Sequence, residues 1–399
     1  WEYGDLPLGE MVRPSVRWIL RRHRLADTPL LRELYVRYLA SACSQAEALR
    51  RRLTDHKPRA LVVFNGIFFP EAIARRLAQS MGIPVVTHEV GLRPFSAFFS
   101  HREATFRELS LPADFELSSA QETELDGALS RRFRGDFSMA GIRFWPEMRG
   151  LPESLLDNRR SYRQMVSVFT NVIFDTSQAH ANVLFEDMWA WLDDLIQVMR
   201  REVDTLFVLR AHPDETRRGK ESEESVAAWF RASGLATARN VVFIPPDDPV
   251  SSYELLQASK FILVYNSSVG LEASILGRPA LCAGRARFTQ METTYFPADR
   301  SEYRRRLEEL LGAERPQVPE VQRRNARAFL YYELFHASLD LSEFLLPDPS
   351  LQGMVLFSDF APERLAQAAA LQVLRDGILH ARPFVAPAEA AEPAAALPT

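Results

Sequence analysis

The run Thr205-Leu206-Phe207-Val208-Leu209-Arg210-Ala211-His212-Pro213-Asp214-Glu215 sets a strand-length apolar stretch directly against a polar turn. Thr205 to Leu209 reads as a buried strand, and Pro213, with no N–H to donate, turns the chain away from the sheet. The same rhythm recurs on both sides. Met165 to Phe174, Val241 to Ile244, Phe261 to Tyr265 and Pro279 to Cys282 also read as strands, with helix-like runs between them. The clearest helix is Asn182 to Met199, where Phe185, Met188, Trp189, Leu192, Leu195, Ile196 and Met199 share one face. Five strand–helix repeats predict an α/β domain, a doubly wound parallel sheet with helices on both faces.

Working outward, the N-terminal half carries a weaker version of the pattern. Val16, Ile19 and Leu20, then Leu30, Leu31, Leu34 and Tyr38, have helical spacing. Ala60 to Phe64 reads as a strand stopped by Asn65-Gly66, followed by a helix from Glu71 to Met81 and a strand from Ile83 to Thr87. Strand, helix, strand with short connections is a βαβ unit. Residues 113–135 read as a further helix, and the Pro- and Gly-punctuated stretch 136–163 as an interdomain connection. A helical run follows Gln317, with Arg323, Arg324 and Arg327 ahead of Tyr331, Tyr332 and Phe335, and the Pro/Ala-rich stretch from Arg382 to Thr399 reads as disordered.

Composition narrows the function classes. The chain has 399 residues, 47% of them apolar, which suits two domains. With 48 basic and 52 acidic residues the net charge is −4, and a nucleic-acid protein would show a basic excess. Cys43 and Cys282 stand alone, so neither a disulfide scaffold nor a cysteine zinc site is expected. No apolar run reaches the ~18 residues a membrane span needs, and no secretory leader opens the chain. It begins at Trp1 rather than Met, which we read as a fragment with a strand missing upstream. A cytoplasmic protein is the expectation.

In an open parallel sheet, ligands sit at the carboxyl ends of the strands. Three polar clusters follow strands here: Asp175-Thr176-Ser177-Gln178, Arg210 through Glu215, and Asn266-Ser267-Ser268-Val269-Gly270-Leu271-Glu272. Ser267 or Ser268 reads as an N-cap for a helix running to Gly277, a seat for phosphate. Gly270 would let a ligand approach the first turn, and Glu272 would accept from ribose hydroxyls; an ordinary cap with a glycine packed against a neighbour is the alternative. His212 can donate to a phosphate or satisfy its own loop, and Arg210 can add charge or cap its strand. Asp175 and Thr176 suit a phosphate loop or simply a helix start. In the first half, His88 and Glu89 end a strand before Gly91; Glu89 can act as general base on an acceptor hydroxyl or form a surface ion pair. The sequence holds no P-loop, no GxGxxG, no HExxH and no Asp-x-Asp metal motif, so no metal is expected and the charge of a departing diphosphate would fall to the helix dipole, Arg and His. Arg13, Arg17, Arg21, Arg22 and Arg24 beside Trp18, Ile19 and Leu20 read either as a solvated face or as a basic helix for anionic lipid.

Taken together, Val208 through Glu215, the stretch from Asn240-Val241 to Pro245-Pro246 with Ser251-Ser252-Tyr253, and Val264 through Ala273 with Gly277-Arg278-Pro279 resemble the motifs of capsule polysaccharide biosynthesis proteins, which include Kdo transferases. The resemblance covers 165–295 well and 59–108 faintly. It implies a GT-B fold, two Rossmann-like domains with parallel sheets facing across a cleft. It also implies an acceptor-side domain over 1–150, a nucleotide-sugar domain over 160–316, C-terminal helices over 317–381, some of them packing back on the N-terminal domain, and a tail over 382–399. Bacterial sialyltransferases of that fold hold CMP with an HP motif and a Ser-Ser motif, which His212-Pro213 and Ser267-Ser268 match. Their acidic motif is absent here, and His88-Glu89-Val90-Gly91 is the nearest equivalent. The resemblance thus implies a metal-independent glycosyltransferase of surface polysaccharide synthesis. Its nucleotide-sugar substrate would be CMP-linked, such as CMP-Kdo, its acceptor a glycan or a lipid-linked glycan, and it would need no cofactor. Arg210, His212, Pro213, Glu215, Asn266, Ser267, Ser268, Gly270, Glu272, Asp175 and Thr176 would line the nucleotide pocket, with Glu89 and His88 catalytic. A nucleotide-sugar 2-epimerase, a CDP-glycerol glycerophosphotransferase and a non-catalytic glycan-binding module are the competing readings.

Overall fold

The computed structural model describes residues 1–112, 114–134, 138–139, 142–143, 148–217, 221–351 and 354–386. Helices α1 (Leu8–Leu20) and α2 (Pro29–His56) lead the chain. Two compact units follow from its contacts: Trp1–Met11 with Ala40–Phe144 and Ala328–Thr399, and Val12–Leu39 with Trp145–Arg327. Residues 12–39 therefore group with the second unit, which the sequence does not announce, and Ala328 onward groups with the first.

In the first unit, β1 (Leu61–Phe64), α3 (Phe69–Ser80) and β2 (Val85–Val90) form the expected βαβ unit, with Leu61 beside Val85 in parallel register. Asn65 and Gly66 stop β1 because both have positive φ, +41° and +83°, and the Asn65 side chain accepts the Ile67 N–H at 2.8 Å. A Cβ at Gly66 would also lie 2.9 Å from the Thr87 side chain, so the turn needs glycine twice over. The sheet then departs from the all-parallel expectation. Residues 91–95 are too few for a crossover, so β3 (Ser96–Ser100) returns antiparallel to β2. Later, β11 (Leu339–Asp340) adds antiparallel to β3 and the sheet order is β1-β2-β3-β11. The helix expected over 113–135 is α4 (Ser119–Phe133), closed by a capping box between Ser118 and Gln121. A two-residue pair, β4 (Ser138–Met139) and β5 (Ile142–Arg143), follows it. Phe144-Trp145-Pro146 of the expected connection, and residues 387–399 of the expected tail, lie outside the described residues.

Beyond residues 12–39, the second unit continues with α5 (Glu153–Arg160) and then runs β6 (Gln164–Phe169), α6 (Met188–Arg201), β7 (Thr205–Arg210), α7 (Val226–Ala232), β8 (Val241–Ile244), α8 (Ser252–Ala258), β9 (Phe261–Val264), α9 (Val269–Ile275) and β10 (Ala280–Cys282). All five strands are parallel in the order β10-β9-β6-β7-β8, the Rossmann order with its reversal at β6 and β9. Two boundaries differ from the sequence reading. β6 ends at Phe169 rather than Phe174, because its neighbours end opposite it. The helix read from Asn182 starts at Met188, because Asp187 caps it by accepting the Ala190 N–H at 2.8 Å. Leu192, Leu195 and Met199 of α6 pack with Phe207, Leu209, Phe261 and Leu263 in one core. Met188, Trp189 and Trp191 are buried in it, as core residues rather than a cofactor contact. α10 (Arg300–Gly312) and α11 (Glu320–Tyr331) complete the unit, with the end of α11 passing to the first.

The fully buried Trp191 indole donates to the Tyr303 hydroxyl at 2.7 Å, joining α6 to α10. Burial raises the Tyr303 pKa, so the phenol stays neutral throughout the working range. Tyr303→Phe leaves the indole N–H dry and unbonded, so urea denaturation should show a loss of about 1–3 kcal/mol; an unchanged midpoint would mean that the indole finds another acceptor.

Candidate active site

The carboxyl edge of the second unit's sheet is level where it matters. Phe169 of β6 lies beside Arg210 of β7 on one side and Val264 of β9 on the other. The three polar clusters therefore leave the sheet at one height. β7 and β9 flank β6, so their ends stand about 10 Å apart.

Asn266 joins two of these loops. Its Nδ2 donates to the Ser177 carbonyl at 3.0 Å, its Oδ1 accepts from Gln178 Nε2 at 3.0 Å, and its own N–H donates to Asn171 Oδ1 at 3.3 Å. Asn266, Ser267 and Gln178 are all buried. Asp175 caps the short turn Thr176–Gln178 by accepting the Thr176 N–H at 2.8 Å, so it and Thr176 serve as a helix start in this structure. Gln178 belongs to the polar cluster already visible in the sequence, whereas Asn171 does not stand out there. The signal for Asn171 is a small polar residue placed just after a buried strand.

His212 stands on the other side of β6. Its Nδ1 accepts the Asp214 N–H at 3.1 Å, so the neutral ring carries its proton on Nε2. Burial lowers its pKa, against the carboxylates of Asp214 and Asp175, which favour the charged form; the Arg210 charge adds to the lowering. Among the described residues Nε2 has no hydrogen-bond partner, nor do the N–H groups of Ser267, Ser268 and Val269. Free donors thus lie on both sides of the β6 end. Pro213 opens a 3-10 turn, Pro213–Thr216, which carries the chain away from the sheet.

Several candidate residues take other roles. Ser268 has helical angles, φ −58° and ψ −21°, so its side chain does not cap α9, which ends at Ile275 rather than Gly277. The first bonds of α9 run from Gly270 N–H to the Ser267 carbonyl and from Leu271 N–H to that of Ser268, at 3.0 and 3.1 Å. Gly270 faces protein rather than ligand, since a Cβ there would lie 3.0 Å from Val264 and 3.3 Å from Phe288. Glu272, in the first turn of α9, is 2% exposed. Arg210 is buried, with its Nη atoms donating to the carbonyls of Pro245 and Asp248, and burial pushes its pKa down to about 10. It holds the loop after β8. Glu215 is 4% exposed and its Oε1 accepts the Val226 N–H at the start of α7.

His88 and Glu89 are adjacent on β2, so their side chains leave opposite faces of the sheet and cannot work side by side. His88 lies between Phe64 and Phe99, with ring centroids 5.5 and 5.4 Å away, and burial lowers its pKa. It is part of an aromatic layer. Of the basic helix, Arg21 pairs with Glu221, Arg22 with Glu223 and Arg24 with Asp187. Among the described residues no helix is long and apolar enough to cross a membrane, and no cluster of three or more His, Cys, Asp or Glu side chains is placed to hold a metal ion.

Residues 152–322 match the family model described as capsule polysaccharide biosynthesis protein. No curated protein matches the chain. Among solved structures, the chain is similar to KpsC of Thermosulfurimonas dismutans, a β-Kdo 2,4 transferase, at 15% identity over 75% of this chain and 84% of that one, with a TM-score of 0.46. It is also similar to MnaA of S. aureus, solved with UDP, at 13% identity over 80% and 88% of the two chains, with a TM-score of 0.33. A UDP-GlcNAc 2-epimerase of Neisseria meningitidis is similar at 14% identity over 72% and 79%, with a TM-score of 0.31. No residue's role follows from likenesses at this level.

Burial pushes the Glu215 carboxyl up to about 7, against the Val226 bond that favours its charge. A raised acid binds its proton more tightly when folded, so stability should fall as pH rises from about 4.5 through 7, by on the order of 3 kcal/mol in all. Glu215→Gln keeps the acceptor for Val226 and removes the titration. Urea unfolding at pH 4.5 and 8.5 should find the variant no more stable at the lower pH and clearly more stable at the higher. Parallel pH dependence in the two proteins would refute the assignment.

Proposed function

We propose, from the match of residues 152–322 to the capsule polysaccharide biosynthesis family model, that this chain is a glycosyltransferase of surface polysaccharide assembly whose donor nucleotide lies across the end of β6. The observation that carries this reading is the pair of free donor sets, His212 Nε2–H on one side and the amides of 267–269 on the other. They suit a phosphate and its neighbouring ribose, and Asn266 keeps their loops in place.

The donor we propose is a CMP-linked acidic sugar such as CMP-Kdo, on the match of His212-Pro213 and Ser267-Ser268 to HP and Ser-Ser motifs. In the transfer, an acceptor hydroxyl oxygen bonds to the anomeric carbon while the bond from that carbon to the phosphate oxygen breaks. The electron pair leaves with CMP, and the hydroxyl proton passes to a base. Neutral His212 donates to the phosphate as charge grows on it, together with the backbone amides, and in this reading no divalent ion takes part. For the base we propose Glu89 alone, since the aromatic layer holds His88. The acceptor is a glycan or lipid-linked glycan, and the reaction belongs in the cytoplasm, at the inner face of the membrane.

CMP, CDP, UDP and GDP titrated against the protein should give tightest binding for CMP. His212→Ala should weaken it about tenfold or more, the effect of losing one hydrogen bond to a charged group; no binding of any nucleotide to the folded protein would defeat the reading. Glu89→Gln should abolish turnover and leave CMP affinity unchanged, whereas retained turnover would remove Glu89 as base. A nucleotide sugar incubated without acceptor should keep its stereochemistry; an epimeric product would mark a 2-epimerase instead.

A further inference from the structure

The second unit contains a cavity of about 670 Å³ that shares no residue with the nucleotide site. Its walls come from α1, the connection from α1 to α2, the start of α2 and the segment leading into α6. The volume would hold a sugar or sugar phosphate.

Four arginines line it, and their partners divide them. Arg24 is bound by both oxygens of Asp187, at 2.8 and 3.0 Å, and Arg32 by both oxygens of Asp27. Those two charges are neutralised in place. Arg13 and Arg17 have no hydrogen bond or ion pair among the described residues, and Nε of Arg17 is buried without an acceptor. They are four residues apart on α1, so both cations lie on one face and repel each other. Asp187, Glu224 and Tyr35 lie near enough to favour the Arg17 charge, but none is bonded to it, and burial together with Arg13 lowers its pKa. Glu186 also lines the cavity and is exposed to solvent. His23 adds no charge: its Nδ1 meets the Ile173 carbonyl at 3.1 Å, and burial pushes its pKa down to about 4. Two unpartnered guanidinium groups facing a polar cavity make a seat for an anion.

We propose that this cavity binds a small oxyanion-bearing ligand, a phosphate or carboxylate, between Arg13 and Arg17, with Tyr35 and Asn182 lining the space for the rest of the molecule. The site is independent of the nucleotide reading. The anion would come either from a free metabolite or from a lipid headgroup.

Inorganic pyrophosphate titrated calorimetrically into the full chain, and sedimentation with phosphatidylglycerol vesicles, separate these sources. Pyrophosphate binding that falls at least tenfold in Arg13→Gln and in Arg17→Gln supports the site and a free ligand. Vesicle binding lost in the same two variants supports the site and a headgroup. The proposal is overturned if neither probe binds the wild-type chain, if both variants keep wild-type affinity for both, or if pyrophosphate binding is lost only in His212→Ala. Arg13 is exposed, so Arg13→Gln decides the matter should Arg17→Gln fail to fold.

Discussion

The buried side chain of Asn266 is the joint on which the second unit's carboxyl edge depends. Its amide is bonded on both polar atoms to the loop after β6, and its backbone N–H is bonded to the same loop. A buried amide left half-bonded is costly, so the two loops are held as one piece. The level ends of β6, β7 and β9 then place His212 on the far side of that piece. The placing of these donors follows from strand register and the hydrogen bonds of one residue rather than from the cap of a long helix.

This division of labour explains why the polar residues around the edge differ so much in environment. Some are structural: Arg210 holds the loop after β8, Glu215 holds the start of α7, and Asp175 caps a turn. Others keep a free donor: His212 on Nε2, and the backbone from Ser267 to Val269. Charge near a strand end is therefore a poor guide to ligand contact here. Two of the carboxyl and guanidinium groups first read as ligand contacts are the ones that burial perturbs most clearly, and both face protein.

Much of the second unit is legible in sequence because buried parallel strands are continuous apolar runs, and each of its five strands stands out that way. The first unit is less so. Nothing in Ser96 to Ser100 says that it returns antiparallel; the short 91–95 connection does, once β2 is known to extend to Val90. The grouping of 12–39 with the second unit rests on long-range pairs such as Arg24 with Asp187, which no local pattern reveals. At the site, His212, Asn266 and Ser267 were readable from the polar break after each strand. That Gly270 faces Phe288, and that His88 and Glu89 leave opposite faces, depends on packing and on the true strand end. Arg13 and Arg17 were visible only as members of a basic helix. Pairing of their neighbours is what sets them apart.

The most direct test of the central claim is a crystal structure of the chain with CMP bound. The account predicts the CMP phosphate within about 3.2 Å of His212 Nε2 or of an amide between Ser267 and Val269, with the nucleoside over the end of β6. CMP seated elsewhere in the well-ordered protein, with all of those donors left to water, would contradict it.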